Sequence, residues 1–134
     1  MVYNTILDAI GHTPMIRLNK LPDEDSAQIF VKYEGVNIGG SIKTRTAYNM
    51  LKCAAEKGRI NENSIIVEPT SGNQGIGIAL VGAVMGYKVK IIMPDSVSEE
   101  RRKLIKNYGA EVFLFTMRAI SASALLSAFR FPKK

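Results

Sequence analysis

A chain of 134 residues is long enough for one ordinary domain and too short for two. Hydrophobic residues make up 46% and charged residues 22%, which excludes a disordered chain as a description of the whole. The net charge is +6, but Arg118, Arg130, Lys133 and Lys134 sit in an acid-free end; residues 1–117 hold 14 basic against 12 acidic residues, which argues against a nucleic-acid-binding face.

The opening MVYNTILDAIGHTPMIRL carries Asp8 early and lacks the basic-then-apolar layout of a secretory signal. No apolar run reaches the roughly 18 residues that span a bilayer. Both features predict a cytoplasmic protein without membrane attachment. Residues 14–18 and 28–34 are short, partly alternating apolar stretches that suit strands, with the polar turn LPDEDSAQ between them. Residues 35–41, GVNIGGS, form a glycine-rich loop. Ser41 then stands as a helix N-cap, Ala47, Met50, Leu51, Ala54 and Ala55 mark an apolar face, and Gly58 is suited to the C-cap.

A regular alternation follows. SIIVEP (64–69) reads as a buried strand, TSGNQG (70–75) as a polar loop, and residues 74–85 as an apolar helix ended by Gly86. YKVKIIMP (87–94) is a second strand, stopped by Pro94. Ser98 caps the charged helix EERRKLIKNY, Gly109 closes it, and AEVFLFT (110–116) is a third strand. Strands alternating with helices at this spacing predict an α/β fold, a parallel sheet with flanking helices in three layers. Continuous apolar runs such as IIV and KIIM suit parallel strands buried on both faces. Residues 117–134 break the pattern and fit at most one marginal helix, Ala119 to Phe129, stopped by Pro132.

The residue inventory narrows the chemistry. Cys53 is the one cysteine and His12 the one histidine. That excludes an internal disulfide, a cysteine-cluster zinc site, a multi-histidine metal site and Ser-His-Asp or Cys-His catalysis. Lysine or an organic cofactor becomes the place to look. In open α/β sheets ligands bind beyond the carboxyl ends of strands. The loop Thr70-Ser71-Gly72-Asn73-Gln74-Gly75 occupies such an end and opens a helix. It reads either as a polar strand–helix turn or as a receiver for a carboxylate or phosphate. Lys43 stands just inside a helix start, behind Gly39 and Gly40. It reads either as a solvated surface lysine or as a nucleophilic amine. A helix start disfavours a cation, and covalent catalysis by lysine needs an amine that can give up its proton.

Two segments together resemble a family. NIGGSIKTR (37–45) and EPTSGNQGIGIAL (68–80) are similar to the patterns N-P/A-x-x-S-[VI]-K-x-R and EPTSGNTGIG of the cysteine synthase and cystathionine β-synthase family. IGHTPMIRLNKL resembles the family's start, and GYKVKIIMPDSVSEERRKLIKNYGAEV its next segment. The resemblance covers roughly residues 3–116, the amino-terminal portion of fold-type-II enzymes that depend on pyridoxal phosphate (PLP).

The resemblance implies that Lys43 holds PLP covalently and removes the substrate α-proton. It implies that Asn73 bonds the PLP ring hydroxyl, and that Thr70, Ser71, Gly72, Asn73 and Gln74 receive the substrate carboxylate. Asn37 and Ser41 are expected as scaffolding and Arg45 as structural, in an ion pair on its own helix. Cys53 and His12 are expected to be structural. Ile38, Thr44 and Gln74 depart from the usual residues, and Gln74 lies in the carboxylate loop, which leaves substrate choice open. The implied partners are O-acetylserine or serine and a sulfur nucleophile, with full-length members as homodimers.

The implied organisation assigns 1–36 to strands that pack on a larger domain, 37–116 to a small α/β domain, and 117–134 to an atypical tail from truncation or frameshift. Strands 14–34 are then expected to lack their usual sheet partners, a hazard for aggregation. The family's phosphate-binding loop and pyridine-nitrogen partner have no counterpart in these residues. The expected function is that of a cysteine synthase-like β-replacement enzyme, truncated and inactive alone. Two alternatives are cystathionine β-synthase or cysteine-degrading activity, and a non-catalytic decoy that pairs with a full-length paralogue.

Overall fold

A computed structural model describes residues 2–116; the helix expected at Ala119 to Phe129 lies outside the described residues. Strands β1 (Met15–Arg17) and β2 (Phe30–Lys32) pair antiparallel, with Met15 opposite Lys32 and Arg17 opposite Phe30. They partner each other, and among the described residues no further strand joins this sheet. Leu18 N–H to Ile29 and Tyr33 N–H to Pro14 extend the ladder at both ends. All six strand residues are exposed, so this ribbon is held by backbone bonds more than by burial.

The second sheet follows from the apolar runs. Strands β3 (Ile65–Pro69), β4 (Lys88–Pro94) and β5 (Glu111–Phe115) are parallel in that order, with β4 central. Ile66 lies opposite Val89, and Ile91 opposite Val112. The central strand is the most buried of the three, with Val89, Ile91, Ile92 and Met93 buried.

Three helices complete the fold: α1 (Lys43–Glu56), α2 (Asn73–Val84) and α3 (Glu99–Asn107). Helix α2 is apolar all round, and every residue from Gly75 to Gly82 is buried. It lies between the sheet and α1. A Cβ on Gly75 would sit 3.3 Å from Ile91 of β4, while one on Gly77 would sit 3.0 Å from the Lys43 carbonyl oxygen of α1. Helix α3 packs on α2 and β5. The layers are therefore sheet, α2 with α3, and α1, the expected three-layer α/β arrangement. Ile78, Ile91, Met93 and Ile105 form the deepest part of the core.

Helix ends follow the glycines. Gly58 has φ +63°, and the N–H groups of Gly58 and Arg59 return to the carbonyls of Ala55 and Ala54. This paired C-terminal closure needs a left-handed residue, which glycine adopts without strain. Gly86 and Gly109 close α2 and α3 the same way. The amino ends differ from expectation. Ile42, not Ser41, occupies the cap position of α1, but the Ser41 hydroxyl still accepts the Lys43 N–H at 3.3 Å. Ser98 is the cap residue of α3, yet its side chain takes no capping N–H. Among the described residues no helix is long and apolar enough to cross a membrane.

Candidate functional site

Lys43 is the first residue of α1 and is exposed. Its amine makes no hydrogen bond or ion pair among the described residues, so it is available to a ligand. The loop before it is tightly folded. Gly40 N–H donates to the Asn37 carbonyl at 2.7 Å, and Gly39 and Gly40 have φ of +80° and +75°. A Cβ on Gly39 would fall 2.5 Å from the Thr44 hydroxyl, so the position needs glycine for space as well as conformation. Thr44 itself is fully buried, and its hydroxyl has no partner among the described residues.

Asn37 ties the loop to what precedes it. Its Oδ1 accepts the N–H groups of Gly11 and Ile38 at 3.0 Å each, and its Nδ2 donates to Glu34 and to the Ser41 carbonyl at 3.0 and 3.3 Å. Arg45 is structural, as expected, but its ion pair does not run along the helix. It reaches Glu34, with Nε to Oε2 at 3.0 Å and Nη2 to Oε1 at 2.8 Å. Nη2 also donates to the Gly11 carbonyl and the Thr13 hydroxyl at 2.6 and 3.2 Å. Glu34, Thr13 and Gly11 had no marker in the sequence, because their partners lie 11 to 34 residues away. These bonds cross the boundary between residues 36 and 37.

The Arg45 hydrogen bonds beside it hold the Glu34 carboxyl well below the usual range, at about 2, against the opposing effect of burial. A folded-state value below the unfolded 4.5 means the carboxylate's contribution is fully present above pH 4.5 and is lost as pH falls towards 2. The stability difference between wild type and Glu34→Gln is therefore expected to be constant above pH 5 or so and to shrink between about pH 4.5 and 2. Urea unfolding at a series of pH values measures it. A difference that stays constant down to pH 3 or so would contradict the assignment.

The second loop leaves the end of β3. Thr70 N–H continues the ladder to the Ile92 carbonyl at 2.9 Å, and the Thr70 hydroxyl accepts Gly72 N–H at 3.1 Å. Arg101 of α3 donates to the Ser71 carbonyl at 3.0 Å and braces the loop from outside. Gly72 sits at the cap of α2, and a Cβ there would meet no protein atom within 4 Å. Space is thus open beside the first N–H groups of α2, which have no intrahelical partners. An open cavity of about 380 Å³ lies at the carboxyl ends of the three strands, lined by Pro69, Thr70, Ser71, Ile92, Pro94 and Phe115. It takes in Thr70 and Ser71; Lys43, Gly72, Asn73 and Gln74 do not line it.

What joins the two loops is the packing of α1 on α2. The Lys43 backbone abuts Gly77, one turn beyond Asn73, and the Gln74 amide lies 3.6 Å from the Met50 sulfur of α1. Gln74, the departure in this loop, is thus turned towards α1. Cys53 is half-buried on α1, 3.6 Å from Asn49 Oδ1, and the His12 ring lies 5.3 Å from Tyr3. Among the described residues no cluster of His, Cys, Asp and Glu could hold a metal ion.

Comparison with known proteins gives the same region. A family model described as pyridoxal-phosphate dependent enzyme matches residues 6–129, running past Thr116. The cysteine synthase of a Flavobacterium species is 50% identical over 118 residues, which is 88% of this chain and 38% of the relative. The solved structure of O-ureido-L-serine synthase superposes with a TM-score of 0.85 at 42% identity, covering 96% of this chain and 40% of the other. The O-acetylserine dependent cystathionine β-synthase of Helicobacter pylori superposes with a TM-score of 0.84 at 30% identity, over 96% and 42% of the two chains. The chain therefore spans about two-fifths of the length of the relatives it matches, and has the fold of that portion of fold-type-II PLP enzymes.

Proposed function

Because the chain belongs to the pyridoxal-phosphate dependent enzyme family, we propose that its residues supply the attachment lysine and the substrate-carboxylate loop of a β-replacement site of cysteine synthase type. The residues suit the cofactor. Lys43 offers an exposed amine without a protein partner, and the Gly72 corner leaves open space beside free helix N–H groups. When bound, PLP supplies the electron sink that lets an amino acid lose its α-proton and its β-substituent. Lys43 would hold the cofactor covalently, and its Nζ would be the group that takes up the substrate α-proton. Asn73 would bond the cofactor ring hydroxyl. Thr70, Ser71, Gly72 and Gln74, with Asn73, receive the substrate carboxylate at the amino end of α2, where N–H donors favour an anion.

The net reaction proposed is O-acetylserine plus sulfide to cysteine plus acetate. The Cβ–O bond breaks, acetate leaves with the electron pair, and a Cβ–S bond forms. The observation that carries the reading is the contact of the Lys43 backbone with Gly77, because it sets the two loops on adjoining helix starts. A second reading takes homocysteine as the nucleophile and cystathionine as the product; the likeness to the Helicobacter pylori enzyme favours it. Product analysis with sulfide and with homocysteine separates the two.

The test is reductive trapping. The chain is mixed with PLP, reduced with borohydride, digested and mapped by mass. The pyridoxyl mass is expected on the peptide that holds Lys43 and is expected to vanish in Lys43→Ala. Label spread evenly over the surface lysines in both proteins would defeat the proposal.

A further inference from the structure

The loop that carries Lys43 is held at both ends by one carboxylate. Glu34 Oε2 accepts from Asn37 Nδ2 and from Arg45 Nε, both at 3.0 Å. Glu34 Oε1 accepts from Arg45 Nη2 and from the Thr13 hydroxyl, both at 2.8 Å. Asn37 opens the loop, and Arg45 lies two residues beyond Lys43. The clamp is anchored further by Arg45 to the Gly11 carbonyl and by Asn37 to the Gly11 N–H.

A single exposed ion pair adds little to a protein. This one differs in two ways. Its guanidinium grips the carboxylate with two nitrogens, and the carboxylate takes four donors at once. The Glu34 side chain is only 16% exposed. Such a pair supplies geometry. Without it, the segment 37–42 keeps the Asn37 side-chain bonds to Gly11, Ile38 and Ser41, the turn bonds of Asn37 N–H to the Glu34 carbonyl and of Gly40 N–H to the Asn37 carbonyl, and the bonds that Ser41 and Ile42 accept from the start of α1; none of these ties Arg45 to the loop's entry, and two glycines at positive φ can take other backbone shapes.

We propose that Glu34 is a positioning residue for Lys43, acting through Asn37 and Arg45 to fix the entry and exit of the lysine loop. The proposal rests on the reading of Lys43 as the attachment residue. Glu34→Gln keeps the shape but turns one acceptor oxygen into a donor that faces Arg45 or Asn37. Borohydride trapping of PLP is read as the share of label on Lys43 relative to the other lysines. That share is expected to fall by about tenfold to 100-fold, the scale of a misplacement near 1 Å. Hydrogen exchange of the cofactor-free chain is the second readout: amides of 37–43 exchange faster in Glu34→Gln, while those of α2 do not change.

Unchanged exchange in the loop overturns the proposal. So does faster exchange with an unchanged Lys43 share, since the clamp would then be structural only. Absence of Lys43 label in wild type removes the attachment reading and the proposal with it, whereas a loss confined to Glu34→Gln leaves that reading standing. Thr13→Val guards against misfolding, because it removes one hydroxyl, with its bonds to Glu34 and from Arg45, and no charge; its Lys43 share is expected to fall by about fivefold to 25-fold, the scale of one to two hydrogen bonds. A Thr13→Val share equal to wild type counts against the clamp.

Discussion

Ile91→Ala is expected to destabilise the chain by about 2–5 kcal/mol, near the upper end of that range. Ile91 is fully buried in the central strand, with Glu68 and Val112 as its neighbours in register. Its Cγ2 atom would lie 3.3 Å from a Cβ on Gly75, so it supports the first turn of α2 at a point with no side chain. The cost of such a truncation depends on how far the surroundings collapse into the space left. Here collapse is hindered, because α2 is already fixed between α1 and the sheet. Urea unfolding followed by far-UV circular dichroism measures the loss. A change below about 1 kcal/mol would mean that the helix settles into the cavity, against the packing described. The same helix start carries Asn73 and Gln74, so the site is expected to loosen with the core beneath it.

Gly77→Val is expected to cost about 3 kcal/mol, from overpacking at a helix–helix contact. A Cβ on Gly77 would lie 3.0 Å from the Lys43 carbonyl oxygen and 3.2 Å from the Ala47 Cβ. The first neighbour is backbone and cannot turn aside by changing rotamer. Gly77→Ala sets a gain in helix propensity of about 1 kcal/mol against the same crowding, and is expected to come out mildly destabilising. Valine adds two more carbons and forces α1 away from α2. The shift falls on the helix that carries Lys43, so trapping of PLP there should drop together with stability. A Gly77→Val chain with wild-type denaturation midpoint would show that the two helices do not approach as closely as described.

The alternation from β3 to β5 was legible because its signals are local. The run KIIM does mark a buried central strand, whereas no residue of SIIVEP is fully buried and Ile65 is exposed, because β3 is an edge strand of the sheet. Gly58, Gly86 and Gly109 state where helices end, since each closes its helix with φ between +63° and +87°. The two loops were legible as a resemblance in motif and order, and the family match over residues 6–129 agrees with it. Ser41 shows the limit of local reading at a helix start. The hydroxyl does bond the first helical N–H, yet the cap position shifts by one residue, a distinction that depends on backbone angles.

What the sequence by itself determined is the order of elements, the parallel sheet, and the position of Lys43 ahead of a helix and of Thr70 to Gln74 after a strand. These depend on periodicity, glycine and short motifs, all readable within a few residues. Only the tertiary structure decided that β1 and β2 pair with each other, and that Arg45 closes on Glu34 instead of a neighbour on its own helix. It also decided that Lys43 meets the second loop through Gly77, and that Gln74 turns to Met50. Each of these joins residues more than ten positions apart. Such contacts are set by how whole elements pack, and no local pattern of residue types records them.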